Sequence, residues 1–274
     1  MSLIRVSQPV KYPTQQDVLD PSFISNYGRP AGLWTPTFGG ANIAYDFSGN
    51  GNNGTLNGGV TLAAGSGQFP AAWKFDGGTG VIPIGNIHAN PIFIWAVINP
   101  TAIAAGVYHT IVAKRDGSTN ATEYAFDIEV SGKLRFYVNN GGFAIWVATT
   151  VLTVGKTIFV GVKYNGTTNP TFFLNNTTDA ISSPATPIAM LQNSVNAEIG
   201  WFVNASATDV PFQGNIYAVG IHPINPTSAQ VSSLYSTLMT GVPFAFMQPR
   251  TLWLPTGAGA APTAPSWVYT GMFG

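Results

Sequence analysis

The middle of the chain, from about residue 31 to residue 240, alternates short runs of strand-forming residues with turns rich in Gly and Asn. The runs contain many Val, Ile, Phe, Tyr and Trp residues, which favour β-strands. The clearest runs are Ile92–Asn99, Thr110–Lys114, Tyr124–Val130, Leu134–Val138, Phe143–Thr149, Thr157–Tyr164, Thr171–Leu174, Ala197–Phe202 and Asn215–His222. Many short strands joined in this way predict an all-β sandwich or barrel.

The connections between these runs have the residues that tight hairpin turns require. Ser131-Gly132, Asn140-Gly141 and Asn165-Gly166 each separate two predicted strands. Gly and Asn tolerate the positive φ angles of such turns. The turns therefore predict antiparallel neighbours along the chain.

One helix is predicted near the end of this region. Thr227 and Gln230 have the spacing of a capping box at a helix N-terminus. The residues that follow at i, i+3, i+4 and i+7 are apolar and share one helix face: Val231, Leu234, Tyr235 and Leu238. Gly241 is well placed to end the helix. We expect it to pack over one edge or end of the sandwich.

Pro-rich arms flank the sandwich in the predicted domain organisation. Residues 1–30 form an N-terminal arm, residues 31–240 the sandwich, and residues 241–274 a C-terminal arm. A disordered tail is normally poor in aromatic residues, and the C-terminal arm is rich in large apolar ones. Those we assign to an assembly surface are Phe244, Phe246, Leu252, Trp253, Leu254, Trp267, Tyr269 and Phe273. We expect this arm to dock on a neighbouring molecule, with docking on its own domain as the alternative.

The charge content excludes several classes of partner. Charged residues make up only 8% of the chain, against about 25% in typical proteins. Basic and acidic residues balance at 11 each, so no positive stripe for nucleic acid is expected.

No apolar run approaches the roughly 18 residues of a membrane helix, and no secretory h-region is apparent. The chain also has no cysteine, which excludes disulfides and thiolate chemistry.

The order of segments resembles that of a known family. YDFSGNGNNGTLNGG (Tyr45–Gly59) and WKFDGGTGVIPIG (Trp73–Gly85) look like the opening of laminin-G-like domains in the concanavalin A-like lectin/glucanase superfamily. FIWAVINP, TIVAKRDGS, YAFDIEVSGKLRFYVNNGG and the later strands follow in the family's order, up to the predicted helix. The resemblance implies an antiparallel jelly-roll β-sandwich. It also extends to members found in tailed-phage virions, which carry similar Pro-rich arms.

Catalysis and metal binding are not expected from the residues. Glucanases of this superfamily need paired carboxylates on one strand, and the nearest pattern here is Asp127-Ile128-Glu129. We interpret it as a solvated strand face, with Glu123 out of register. The three histidines are scattered along the sequence. Every second residue from Asp46 to Asn52 carries a side-chain oxygen. This spacing fits either a calcium site or, more simply, a tight loop held by its own side chains. No catalytic residue, metal or cofactor is therefore predicted.

Carbohydrate binding has two candidate places. Sugar sites combine an aromatic platform with amide or carboxylate side chains that bond to hydroxyls. Trp146 beside Asn139 and Asn140 fits this description, as does Trp201 beside Asn204. A core position is the alternative for both tryptophans, and Trp73 and Trp95 are expected in the core.

The resemblance, together with the low charge and the arms, implies a structural protein of a phage virion. We expect a capsid decoration protein, or a head or tail fibre component, that docks by its arms on capsid or sister subunits and presents a lectin-like sandwich. Glycans are possible partners, and a homo-oligomer or lattice-associated state in the virion is expected. The absence of long heptads favours decoration over a fibre shaft. The alternative is a soluble carbohydrate-binding lectin module.

Overall fold

The structure, a computed structural model, describes residues 21–36, 42–117, 121–202 and 209–239. Its helices are α1 (Pro21–Tyr27) and α2 (Ser228–Met239). Its strands are β1 (Gly32–Trp34), β2 (Ile43–Ala44), β3 (Gly54–Thr55), β4 (Val60–Ala64), β5 (Ala71–Asp76), β6 (Ile82–Pro83), β7 (Ile92–Pro100), β8 (Tyr108–Asp116), β9 (Ala121–Ile128), β10 (Lys133–Asn139), β11 (Phe143–Val151), β12 (Ile158–Tyr164), β13 (Thr171–Leu174), β14 (Thr177–Asp179), β15 (Ile181–Ser183), β16 (Glu198–Ile199), β17 (Asp209–Val210) and β18 (Gln213–His222).

Two eight-stranded sheets form a β-sandwich. The first sheet has the order β14-β13-β12-β7-β18-β5-β4, with β1 beside β18. The second has the order β15-β11-β10-β9-β8-β16-β6, with β17 beside β8. All pairings are antiparallel except that of β17 with β8. The predicted antiparallel sandwich is confirmed.

The core lies between the sheets and follows from the alternation of side chains along each strand. In β9 and β10 the inward residues are Tyr124, Phe126, Ile128, Leu134, Phe136 and Val138, and all are buried in one cluster. Trp73 belongs to the same cluster, as predicted. Trp95 is also buried, but it faces outward from the first sheet into a second apolar layer.

This second apolar layer is formed where both helices cover the outer face of the first sheet. Val231, Leu234 and Leu238 of α2 pack there with Phe23 and Tyr27 of α1. The helices also contact each other, since the Tyr27 hydroxyl donates to Ser233 Oγ at 2.8 Å. Helix α2 therefore lies on a sheet face and not over an edge or end, which corrects our prediction.

The start of α2 confirms the predicted capping box. The Gln230 side-chain oxygen accepts the Thr227 N–H at 2.8 Å, and Thr227 Oγ1 accepts the Gln230 N–H at 3.2 Å. Helix α1 was not predicted: its seven residues are too few to show a helical period. It places residues 21–27 against the sandwich, although we had assigned them to the N-terminal arm.

The two arms are only partly described. Residues 1–20 and 240–274 lie outside the described residues, and with them all eight residues assigned to the assembly surface. The last described residue is Met239, whose carbonyl accepts a hydrogen bond from Gln68 Nε2 at 2.8 Å. Gln68 lies in the turn between β4 and β5, so the C-terminal arm starts beside that turn. Within the described part of the chain, neither helix is long and apolar enough to cross a membrane.

Candidate binding face

The two sheets differ in how their outer faces are covered. Helices α1 and α2 pack over the first sheet. The second sheet carries on its outer side the outward residues of β8, β9, β10 and β11, with Trp201 and Phe202 packed against them. We call this outer side of the second sheet the binding face. Phe143 and Ile145 are exposed on it, whereas Tyr137 and Phe202 are buried on the same side.

Strand β11 places its aromatic residues on opposite sides of the sheet. Phe143 and Ile145 point outward and are 60% and 38% exposed. Trp146 points inward, is fully buried, and donates its indole N–H to Asn169 Oδ1 at 3.0 Å and the Ala185 carbonyl at 3.2 Å. A ring in this position cannot present a surface to a sugar. The structure therefore corrects the prediction for Trp146 and puts Phe143 in its place.

Phe143 lies beside the turn that the sequence indicated. It stacks on Tyr137 of β10 with ring centroids 5.6 Å apart and an interplanar angle of 27°. Asn139 is its partner across the hairpin. Asn140 is exposed at the turn and donates from Nδ2 to the Ala189 carbonyl at 3.2 Å. An exposed ring beside two amides is an arrangement that can contact an apolar sugar face and its hydroxyls.

A cation–aromatic cluster forms the centre of the binding face. The Arg115 guanidinium lies 5.2 Å from the Tyr137 ring centroid and 4.6 Å from that of Phe202. Phe202 is buried against Ala113 and Ala125, whose small side chains leave room for it. Trp201 is half-buried beside this cluster, so it lies on the binding face as a candidate. Asn204, its predicted partner, lies outside the described residues.

The carboxylate of Asp127 is neutralised by a bidentate ion pair. Arg135 Nε and Nη2 donate to its two oxygens, each at 2.7 Å. The guanidinium also lies 3.6 Å from the Tyr108 ring centroid. Asp127 is therefore buried and not part of a solvated strand face, which corrects our interpretation. Glu129 lies beyond the end of β9 and accepts a hydrogen bond from the Ser131 hydroxyl.

A second ion-pair cluster, which the sequence analysis missed, surrounds Glu123. A bulge between β8 and β9 turns Glu123 into a buried position. One carboxylate oxygen accepts from Lys114 Nζ at 2.6 Å, and the other contacts His88 Nδ1. The Asn193 N–H also donates to the carboxylate at 3.3 Å. The available clue was the presence of Lys114 and Glu123 inside otherwise apolar strands, where charges must be paired.

The loop from Asp46 to Asn52 uses its oxygens to hold the backbone. The buried Asp46 carboxylate accepts N–H groups from Leu33 at 3.1 Å and from Ser48 and Asn52 at 2.9 Å. Asn50 and Asn52 donate from their amides to the Ala31 carbonyl. These bonds support the tight-loop interpretation and attach the loop to β1. Across the described ranges, no group of three or more His, Asp or Glu residues is placed to hold a metal ion.

The other two histidines are buried and have structural contacts. His109 Nε2 accepts the Ala104 N–H at 2.9 Å. His222 Nδ1 lies 3.2 Å from the Tyr27 carbonyl, and desolvation lowers the pKa of its imidazole to about 4. His88 is paired with Glu123. Within the described residues, no hydrogen bond joins any of the three histidines to a hydroxyl or thiol group.

Comparison with solved structures finds similar folds in proteins of low sequence identity. Trypanosoma rangeli sialidase in complex with sialic acid matches with a TM-score of 0.57 and 13% identity, over 77% of this chain. The binding domain of Paraclostridial Mosquitocidal Protein 1 matches with a TM-score of 0.56, 11% identity and 76% coverage. Domain 4 of the extracellular GH43 arabinanase from Geobacillus stearothermophilus, in complex with arabinotriose, matches with a TM-score of 0.53, 15% identity and 76% coverage.

These matches differ in how much of the other chain they cover. The shared region is 33% of the sialidase chain, 52% of the mosquitocidal binding domain and 98% of the arabinanase domain. At these identities the likeness shows the fold alone, an antiparallel β-sandwich. No protein-family model matches the sequence, and comparison with curated proteins finds no match.

Proposed function

We propose that this chain is a non-catalytic binding module that holds glycans on the binding face and is anchored by its two arms. The observation that carries the proposal is the difference between the two outer faces of the sandwich. One face is covered by helices, and the other carries exposed Phe143 and Ile145 beside amide and guanidinium groups. A sugar needs such a combination of an apolar platform and polar groups.

The two described helices that adjoin the arms lie on the side opposite the binding face. The N-terminal arm leads into α1 at Pro21, and the C-terminal arm follows α2 after Met239. The two helices are joined by the Tyr27–Ser233 bond and by a bond from Gln230 Nε2 to the Asn26 carbonyl at 2.7 Å. A chain built in this way can be held from its helix side while its second sheet faces outward.

The more specific proposal is a structural role in a phage virion, as a capsid decoration protein. Its support is the low charge of 8%, the apolar C-terminal arm and the order of segments that resembles virion proteins. Each large apolar side chain buried in a contact contributes about 1.5–3 kcal/mol, so a few of them would hold an arm firmly. The expected partners are capsid or sister subunits, and the expected location is the virion.

The absence of catalysis is part of the proposal. Glycoside hydrolysis needs one carboxyl group as a proton donor and another as a base or nucleophile. Asp127 has both oxygens bonded to Arg135, and Glu123 is buried against Lys114 and His88. Carboxylates held by cations in this way are poorly suited to exchange protons with a substrate. The arabinanase domain bound to arabinotriose and the mosquitocidal binding domain support the choice of a binding module.

A glycan array with a matched pair of variants tests the binding half of the proposal. We expect the full chain to bind neutral oligosaccharides and Phe143→Ala to reduce that binding by about five- to thirtyfold, since the ring supplies about 1–2 kcal/mol of contact. Val154→Ala is the control, because Val154 is 47% exposed but lies in the turn after β11. Equal binding by Phe143→Ala and the full chain would contradict the assignment of the binding face.

Truncation tests the anchoring half. A chain that ends at Met239 is expected to keep glycan binding and lose incorporation into particles. If the truncated chain binds glycans and the full chain never joins a particle or an oligomer, the soluble lectin is the better description. Unfolding of the truncated chain would show instead that the C-terminal arm belongs to the fold.

A further inference from the structure

The free edges of the two sheets are protected unequally. In the first sheet, β14 is three residues long, and its Asp179 carboxylate accepts the Thr150 N–H and hydroxyl of β11 at 3.1 and 3.0 Å. Strand β1 is also short and is fully buried. In the second sheet, β6 has two residues, one of them Pro83, and the edge strand β15 has only three. These are the usual ways in which proteins block pairing at an edge.

Strand β4 has none of these protections. Its five residues, VTLAA, include no charge and no proline, and its pairing with β5 runs without a bulge. Among the described residues, only β5 pairs with it. Leu62 in its centre is 43% exposed at this edge. An uncharged, exposed edge strand is a template for adding a strand from another chain.

The C-terminal arm contains a segment that fits this edge. Ser266–Thr270, SWVYT, has five residues with high strand propensity and neither proline nor charge within it. The arm starts at Met239, which is bonded to Gln68 beside the end of β4. Because each arm starts beside its own β4, two copies could exchange arms, with the arm of each copy pairing with β4 of the other.

The length of the arm favours a neighbouring copy over the same chain. Met239 and Ser266 are 27 residues apart in the sequence. A fully extended chain of that length spans up to about 90 Å. The five residues of β4 span only about 17 Å. Five prolines between these positions favour an extended chain: Pro243, Pro249, Pro255, Pro262 and Pro265. If extended, an arm of this length would reach well past its own edge strand.

We propose that the open edge of β4 accepts the segment Ser266–Thr270 from the C-terminal arm of a second copy of this chain, as an added strand. Backbone hydrogen bonds would supply the pairing, and Leu62 would be covered by the incoming aromatic residues. This inference rests on the proposed assembly role of the arms and adds the surface on which one arm docks.

Disulfide trapping tests the pairing, because the chain contains no cysteine that could interfere. One full-length copy carries Ala63→Cys, a second carries Val268→Cys, and the mixture is oxidised and run on a non-reducing gel. The expected result is a mixed covalent dimer. The matched control pairs Val268→Cys with Val154→Cys, which is exposed and lies in the turn after β11 of the second sheet.

A dimer yield no higher than that of the Val154→Cys control would overturn the proposal. So would a disulfide that forms within one chain when Ala63→Cys and Val268→Cys are combined, with no mixed dimer. Light scattering of the unmodified full chain distinguishes failure of the β4 docking site from failure of the proposed assembly role. If it assembles but no mixed dimer forms, only the β4 site fails, whereas a monomer at all concentrations removes the assembly role as well.

A charge at the edge provides a second variant that leaves the fold intact. Leu62→Lys places a cation on an exposed position, which is a natural way to block edge pairing. We expect assembly of the full chain to weaken by at least about tenfold, with an unchanged circular dichroism spectrum. Unchanged assembly of Leu62→Lys contradicts the proposal.

Discussion

Replacing His222 by phenylalanine should make the stability of the protein much less sensitive to acid. His222, the last residue of β18, is fully buried, and its ring centroid lies 6.0 Å from Phe23 of α1, 6.1 Å from Phe93 and 6.4 Å from Trp95. Its Nε2 has no hydrogen-bond partner within the described structure. A proton added there would create a buried charge without compensation, which explains why burial lowers the pKa.

The magnitude and the sign follow from this pKa. It falls from 6.5 in an exposed imidazole to about 4 in the folded protein. Each pKa unit is worth about 1.36 kcal/mol, so the change corresponds to about 3 kcal/mol. The unfolded chain takes up the proton below pH 6.5 and the folded chain only near pH 4. The free energy of unfolding therefore decreases by about 3 kcal/mol as the pH falls from 7 to 4.

Urea unfolding followed by tryptophan fluorescence at pH 7 and pH 4 measures this loss. His222→Phe should lack the decrease of about 3 kcal/mol that the His222 imidazole causes between pH 7 and pH 4. The lost bond to the Tyr27 carbonyl lowers its free energy of unfolding equally at both pH values. His88→Gln, which changes an exposed histidine, is the control and should keep the His222 contribution. If the full chain and His222→Phe lose the same stability between pH 7 and pH 4, the reasoning is refuted.

Two further predictions concern the packing of the sheets. Arg135→Ala should lower the free energy of unfolding by about 3–5 kcal/mol, because it leaves the Asp127 carboxylate buried without its partner; a loss below about 1 kcal/mol in urea unfolding would contradict the assigned ion pair. Gly220→Ala should lower the free energy of unfolding by about 1–3 kcal/mol, since a Cβ there would lie 2.3 Å from Trp95. Gly142→Ala is the control, because its Cβ would meet open space and should leave the free energy of unfolding nearly unchanged. Thermal unfolding of the two variants, measured in parallel, would count against this account if both melted alike.

Much of the fold was predictable because strand alternation and turn chemistry are local. The run Thr171–Leu174 matches β13 residue for residue, and Ile92–Asn99 differs from β7 by one residue. The two-residue strands β2, β3, β6, β16 and β17 are too short to show a period of two. Their pairing depends on neighbours distant in the sequence, so propensity alone could not delimit them.

The candidate site was predictable only in part. The sequence indicated the Asn139-Asn140 turn and an aromatic residue beside it, but we selected Trp146 as that residue. The alternation along β11 would have selected Phe143, because Ala144, Trp146 and Ala148 share the inward side. Lys114 and Glu123 inside apolar strands were a clue to a buried ion pair, but the bulge that shifts one residue between neighbouring strands and buries Glu123 has no local sequence signal.

The central claim is that the sandwich is held from its helix side and binds with its second sheet. A cryo-electron microscopy map of the native assembly that contains the full chain would test it most directly. The account predicts that α1 and α2 face the assembly and that Phe143 of β11 faces outward. A map in which the binding face is buried against the assembly and the helices face solvent would contradict it.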